Sequence, residues 1–476
     1  MSDLILATWA SGLIETAKWR GRTGASEVWT PGKKLKLLIA GYNGARNTGE
    51  EVRVEEIVRQ FRRVLGEENV QLSVLTLNPK FSQEYYGDAA QVHLPFIFPP
   101  FLYREVPRYD GVVTTCGSMF SSKFSNVHCI MMIEALAIAS ARGKLSIAYG
   151  GEAGGMDPML ARMCRRYCGR TSMIVRNEES RIALQKLDIP SQVGADTAWT
   201  FEPCSADFGH KTLRSVGWDG AEPILALCPN NPFWWPVKPS LLKATAWAVT
   251  NAYEDSHYQS IYFHKYRTKA KEAYRRYVAA LAGASEVFRK KRRVFPILVG
   301  MERLDADPCR RISERLGGVP VLTSEQYNAF QLVSILRCCR LIVSSRYHAV
   351  VTSMPGLVPS AGVTIDERIR NLMCERGHSD LVLEADDPEL ESKLLEVLDR
   401  LTNDREAISD AIGRTVVNNL KAMAKMGQYL AKDVRQHYPE FPACDGRLSW
   451  EDYLPPLGPS LRSVAEKYES GNEKAG

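Results

Sequence analysis

From Lys36 onward the chain alternates between two patterns: short continuous apolar runs, and longer stretches with apolar residues spaced three and four apart. The first pattern is that of a strand buried on both faces, the second that of a helix with one buried stripe. Residues 37–40 predict the first strand, 41–49 the turn after it, and 50–65 a helix with Val54, Ile57, Val58, Phe61 and Val64 along one side. Further strands are expected at 72–77, 111–115, 145–149 and 173–175, with helices at 127–141, 158–167 and 178–187 between them. The rhythm restarts after Gly220, with strands at 224–227, 261–263, 294–299, 341–344 and 358–363. Helices fall between these at 241–253, 270–281, 309–316, 327–336 and 368–374.

Strand–helix alternation of this kind predicts a parallel sheet covered on both faces. The expected fold is therefore α/β, with two Rossmann-like doubly wound domains at residues 36–205 and 222–400. A helical segment at 401–437 is expected to fold back across both. Residues 438–476, rich in proline, glycine and charge, predict an extended tail, and residues 1–35 an N-terminal extension. In open parallel sheets ligands bind outside the carboxyl ends of the strands, so the segments following strand ends are where chemistry is sought.

Three such segments stand out. The first is Gly41-Tyr42-Asn43-Gly44-Ala45-Arg46-Asn47-Thr48-Gly49, whose glycines would let a backbone approach a ligand and leave helix N–H groups facing an anion. Its glycine spacing fits neither a dinucleotide fingerprint nor a P-loop, and a plain tight turn capped by Asn47 or Thr48 is the competing reading. In the second, Arg176 ends a strand, which requires either a polar cleft or a surface pairing with Glu178 or Glu179. The third is Ser344-Ser345-Arg346-Tyr347-His348, where a strand gives way to a short helix with Ser345 as its expected cap. A guanidinium, an imidazole and free N–H groups then converge where the helix dipole is positive, which suits a compact anion.

Composition narrows the classes. Hydrophobic content of 45%, charged content of 24% and a net charge of +6 describe a globular chain with a mild preference for anions, well short of a nucleic-acid binder. No apolar run approaches the length of about 18 residues that spans a bilayer, and no signal peptide is expected. The 11 cysteines are scattered without zinc or redox spacing, which predicts free thiols, a reducing cytoplasmic compartment and no metal site. The basic run Arg289-Lys290-Lys291-Arg292-Arg293 reads as a solvated helix end in preference to a lipid-headgroup contact.

Together the three segments resemble the polysaccharide pyruvyl transferase family. Gly41 through Glu51 is similar to that family's opening Gly-Tyr/Phe-x-Gly-x-x-Asn-x-Gly-Asp/Glu-Glu. Val175 through Ser180 with Ala195-Asp196 resembles its Val-Arg-Asp-x-x-Ser and Ala-Asp elements, and Ser344 through His348 with Asp366 its Ser-x-Arg-Leu-His and the loop beyond. Tyr347 stands where leucine is usual and Asn177 where aspartate is usual, and Cys116-Gly117-Ser118 replaces a glycine-rich triplet. The resemblance implies a GT-B-like pair of domains. It also implies transfer of the pyruvyl group of phosphoenolpyruvate, as a ketal, onto a sugar of a cell-surface polysaccharide or its precursor. Arg176 and Arg346 would bind phosphoenolpyruvate and His348 would be the general acid, kept cationic beside the phosphate. Asn43, Asn47, Asp196 and Asp366 are candidate acceptor or cleft residues. No cofactor is implied; the partners are phosphoenolpyruvate and a saccharide acceptor, lipid-linked or free, with no nucleic acid. Membrane contact is at most peripheral, at the inner face of the membrane.

A GT-B nucleotide-sugar glycosyltransferase is the enzymatic alternative. Glu367 and Glu375 have the Glu-x7-Glu spacing of one retaining class, but they lie beyond the helix that carries the pair in those enzymes. A non-catalytic component of a polysaccharide-synthesis complex is the other, although a scaffold has no need of an arginine–histidine cluster.

Overall fold

The computed structural model describes residues 3–23, 29–250, 252–265, 267–443 and 449–469. Its first sheet is built from β1 (Leu35–Ala40), β2 (Val70–Thr76), β3 (Ala90–His93), β4 (Gly111–Thr114), β5 (Leu145–Gly151), β6 (Ser172–Val175) and β7 (Gln192–Val193). These pair in the order β3-β2-β1-β4-β5-β6-β7, all parallel, with Leu37 of β1 opposite Leu72 on one side and Gly111 on the other. β1 and β4 are buried almost throughout, as continuous apolar runs covered on both faces must be.

The second sheet starts with β8 (Ile224–Cys228). An excursion follows: β9 (Lys238–Pro239), the Leu241–Thr250 helix, β10 (His257–Gln259) and β11 (Tyr262–Phe263). The sheet resumes with β12 (Phe295–Gly300), β13 (Val321–Thr323), β14 (Leu341–Ser344), β15 (Ser360–Thr364) and β16 (Val382–Glu384). Its order is β13-β12-β8-β14-β15-β16, again parallel. Both sheets therefore run 3-2-1-4-5-6 in local numbering, the doubly wound order, with a seventh strand at the edge of the first, and in each the winding order reverses between the first and fourth strands. The molecule is a GT-B-like pair of Rossmann-like domains.

Two expectations are corrected, and the N-terminal extension, open between an amphipathic segment and a frayed end, is resolved. Residues 261–263 do not join the second sheet: β11 pairs antiparallel with β9 and β10 in a small sheet of its own. Its alternation is too short to distinguish a hairpin from a parallel strand. The N-terminal extension is a helix, Asp3–Thr23, whose Leu6, Ala7, Ala10, Ile14 and Ala17 pack on the Asn126–Ala141 helix. The supposed extended tail contains a second helix, Pro459–Glu469, burying Leu461, Val464, Ala465 and Tyr468. That spacing is helical, and the surrounding prolines and glycines obscured it.

The long Arg405–His437 helix crosses from one domain to the other. It contacts the Thr48–Leu65 helix and β5 in the first, and the turn at Met354–Gly356 in the second. The buried cluster containing Ile39 of β1, Val343 of β14 and Leu420 of this helix is continuous across both domains.

Candidate active site

Both switch points open on the same cleft. From the first domain it is lined by Tyr42, Asn47, Glu50, Cys116 and His128, and from the second by Trp235, Tyr258, Glu302, Arg346 and Arg368. Its volume is about 100 Å³. A larger cavity of about 750 Å³ adjoins it, sharing Ser118, Ser121, Phe124 and Arg368 and reaching Glu152, Asp366 and Asn371.

The turn after β1 is held from within. Asn43 is fully buried and its Nδ2 donates to the Leu75 carbonyl at 2.9 Å, so it does not reach the cleft. Asn47 does, and also caps the Thr48–Leu65 helix: its Oδ1 accepts from the N–H groups of Gly49 at 3.1 Å and Glu50 at 3.3 Å. The two readings of this turn are thus compatible. The Thr48 N–H donates to the Met301 carbonyl at 2.8 Å, tying the turn to the second domain.

His348 sits on this turn. A Cβ at Gly49 would overlap the His348 ring, so only glycine lets the imidazole seat there. A Cβ at Gly117 would lie 3.0 Å from Glu50 Oε1, 3.2 Å from Arg368 Nη1 and 3.9 Å from His348 Cε1. Gly117 therefore marks the point where those three side chains meet, and its own N–H donates to Glu50 at 2.8 Å. The helix bearing the histidine is Tyr347–Ser353, with Arg346 rather than Ser345 at its N-cap. Ser345 turns inward, its hydroxyl 2.6 Å from Tyr277 Oη and bonded to the Val363 carbonyl, which removes it from capping.

Beneath the cleft lies a buried ion network centred on Asp196. Its Oδ2 is 3.4 Å from Arg53 Nε, 3.2 Å from Arg176 Nη1 and 3.4 Å from His348 Nε2. The last is a contact without hydrogen-bond alignment. Burial alone would raise the Asp196 carboxyl, yet Arg53, His348 and Arg176 together hold it well below the usual carboxylate range. Arg53 also donates to Thr115 and the Gly150 carbonyl, both at 2.8 Å. Arg176, its side chain 2% exposed, is ion-paired with Glu152 as well as Asp196 and lies 4.5 Å from the Tyr347 ring centroid. The alternative of a surface pairing with Glu178 is excluded, since Glu178 pairs with Arg181. Arg176 and Asp196 thus lie one layer below the cleft surface.

The guanidiniums that do face the cleft are Arg346 and Arg368, with side chains 19% and 18% exposed. Arg346 binds both oxygens of Asp305 through Nε, at 3.0 and 2.8 Å, and Glu302 through Nη2 at 2.8 Å. Arg368 binds Asp366, with Nε–Oδ2 at 2.8 Å, while Asp366 Oδ1 accepts from the Arg368 N–H at 3.0 Å, capping the Glu367–Glu375 helix. Arg368, Arg53 and the Glu302–Asp305 pair escaped sequence reasoning. Arg368 alone had a local signal, standing two residues after the flagged Asp366 at a helix start.

Burial pushes the His348 imidazole below the ordinary histidine value, against the opposing pull of Asp196. The free protein therefore favours the neutral form, whereas the expectation of a cationic histidine concerns the state with a phosphate beside it. His128, across the cleft, is pushed down to about 4 by burial. Among the described residues no cluster of His, Cys, Asp and Glu could hold a metal ion, and the ten described cysteines are unpaired. The basic run ends the Thr268–Arg292 helix and is ion-paired, Arg289 with Glu286 at 2.7 Å and Lys291 with Asp399 at 2.6 Å.

Two Rossmann-like domains closing on one cleft define a protein of GT-B-like architecture. The chain belongs to the polysaccharide pyruvyl transferase family, whose model matches residues 47–367. A search of curated proteins finds no match. Among solved structures, the chain is similar to a UDP-N-acetylglucosamine 2-epimerase from Listeria monocytogenes, described as putative, at 11% identity and a TM-score of 0.52, covering 87% of this chain and 100% of that one. It is similar to S. aureus MnaA in a co-structure with UDP, at 7% identity and a TM-score of 0.51, covering 87% and 100%. A Methanocaldococcus jannaschii UDP-GlcNAc 2-epimerase aligns at 12% identity and a TM-score of 0.50, covering 78% and 93%. At these identities the likeness is one of fold.

Proposed function

We propose that this protein transfers the pyruvyl group of phosphoenolpyruvate onto two hydroxyls of a saccharide, forming a ketal and releasing inorganic phosphate. The observation that carries this is that Arg346 and Arg368 both line one small cleft, with the buried His348 ring approaching Arg368 and Glu50 at Gly117 beside it. Phosphoenolpyruvate presents a carboxylate and a phosphate on one small frame, which two guanidinium forks suit. The adjoining larger cavity is where the saccharide would lie, reaching the donor past Arg368.

In this reading the proton of a cationic His348 goes to the methylene carbon, which becomes the methyl group, and one acceptor hydroxyl attacks the adjacent carbon. The C–O bond to phosphate then breaks, and the second hydroxyl closes the ketal. Of the two hydroxyl protons, one replaces that given by His348 and the other leaves with phosphate. A bound dianion favours the imidazolium, so donor binding charges a histidine that is neutral beforehand. Arg176 acts indirectly, by holding Asp196 against His348.

No helix among the described residues is long and apolar enough to cross a membrane. The enzyme would work in the cytoplasm, at the inner face of the membrane where polysaccharide precursors are presented. Millimolar phosphoenolpyruvate should raise the melting temperature, with the shift shrinking as salt increases. A shift from UDP- or GDP-sugars and none from phosphoenolpyruvate would assign the cleft to a glycosyltransferase. No shift from either would favour a non-catalytic component.

A further inference from the structure

The excursion at residues 234–269 contains a helix that buries none of its own residues: Leu241–Thr250, with the sequence LLKATAWAVT. Leu242 is 81% exposed, Val249 77% and Leu241 61%. An apolar helix left in water needs a partner, because singly exposed apolar residues are ordinary but a helix of them is not. Trp247 stacks on His257 at 4.0 Å and Lys243 lies over the Tyr253 and Phe263 rings, so the helix is fixed by one side to the small sheet.

The patch extends beyond this helix. Tyr262 of β11 donates to Asp3 at 3.3 Å, which brings the start of the Asp3–Thr23 helix, with exposed Leu4 and Ile5, beside the same sheet. Exposed Phe96 and Ile97 follow on the neighbouring loop. Between them opens an apolar pocket of about 280 Å³, lined by Leu94, Phe96, Val127, Met131 and Tyr262 among others. His128 and Tyr258 line both this pocket and the catalytic cleft. Tyr258 also meets Tyr42 across the domain boundary, with hydroxyls 2.7 Å apart.

We infer that this patch docks the protein on an anionic bilayer surface, with the cleft opening beside it. The charge pattern selects a membrane over a second copy of the chain. Residues 234–269 carry five Lys and Arg against two acids, and Lys238, Lys265, Arg267 and Lys269 are exposed. Two such surfaces would repel one another, whereas anionic headgroups attract them while Leu241, Leu242 and Val249 enter the acyl boundary. The inference extends the peripheral-membrane part of the proposed function and is independent of the donor.

The test is co-sedimentation of the full chain, without phosphoenolpyruvate, with phosphatidylcholine vesicles and with vesicles containing phosphatidylglycerol. Binding is expected to the anionic vesicles, several-fold stronger than to the neutral ones and weakened by salt. Leu242→Asp with Val249→Asp should reduce it about tenfold or more while leaving the melting temperature unchanged. Lys265→Glu with Lys269→Glu should remove the preference for anionic lipid. Failure of the wild-type protein to bind anionic vesicles, or undiminished binding by the leucine–valine variant, would overturn the inference. So would a wild-type dimer in sedimentation velocity that the leucine–valine variant converts to monomer, since the patch would then belong to a second copy.

Discussion

Residues singled out from the sequence do different things once their partners are known. His348 is pressed into a glycine seat and held neutral by burial, so its protonation is coupled to what binds above it. The basic limb of kcat/KM, which reports the free enzyme, should accordingly fall below the ordinary histidine value, and that of kcat above it. His348→Ala should lower turnover by about a hundredfold to ten-thousandfold, with donor affinity largely spared. A folded His348→Ala protein with near-normal turnover would remove the residue from the mechanism. Arg368 and Arg176 should separate cleanly. Arg368→Ala should weaken phosphoenolpyruvate binding by roughly tenfold to a hundredfold, the loss of a charge-assisted contact. Arg176→Ala removes the ion-pair partner of Glu152 and leaves Asp196 with Arg53 as its remaining guanidinium, so it should destabilise the fold by about 3–5 kcal/mol. Thermal melts and donor titrations on both variants distinguish these outcomes. The sequence marked Arg176 because an arginine ends a buried strand, but whether it faces ligand or carboxylate depends on residues 20 and more positions away. Arg368 was overlooked for the converse reason: its one local signal, a helix start capped by Asp366, is equally that of a surface Asp–Glu–Arg.

At the scale of elements, apolar periodicity located every central strand, because strands covered on both faces are continuous apolar runs. It failed at β3, β7, β13 and β16, which are short and lie at the sheet edges, and at the β9–β11 excursion, whose strands of two or three residues are too short to carry a period. Within the Asn126–Ala141 helix, Glu134 is fully buried and neither carboxyl oxygen has a hydrogen-bond partner. Burial raises its carboxyl to about 8. The protonated form is therefore the folded state's preference. Stability from this group is complete below the ordinary glutamate value of 4.5, and is lost as pH rises through about 8. Glu134→Gln should consequently raise the melting temperature at pH 9 by a few degrees and change it little at pH 5. Equal effects at both values would show that Glu134 is charged and paired at all pH.

The whole molecule is held together by the chain from Arg405 onward as much as by its two sheets. The Arg405–His437 helix and the segment after it join a core that is continuous from β1 to β14. Tyr453 and Leu454 are fully buried, and Gln60 Nε2 donates to the Tyr453 carbonyl at 2.9 Å and to the Met423 carbonyl at 2.9 Å, locking first-domain helix, long helix and tail at one point. Gly413 has no room for a side chain beneath the Tyr468 ring. Such packing couples the domains, so the full chain should unfold in one calorimetric transition although each sheet has the order of an independent fold. Tyr468→Ala should cost about 3 kcal/mol by leaving a cavity over the long helix, without splitting that transition. Removing residues 449–476 uncovers Tyr453, Leu461 and Val464 contacts on both sides of the domain boundary at once. The truncated protein should therefore melt in two resolved steps, the first-domain step at lower temperature because the Thr48–Leu65 helix loses its cover. That helix carries Asn47, Glu50 and the seat of His348, so donor binding should fall in parallel with the lower transition. A single transition, shifted but not divided, would show instead that the cleft contacts alone couple the two domains.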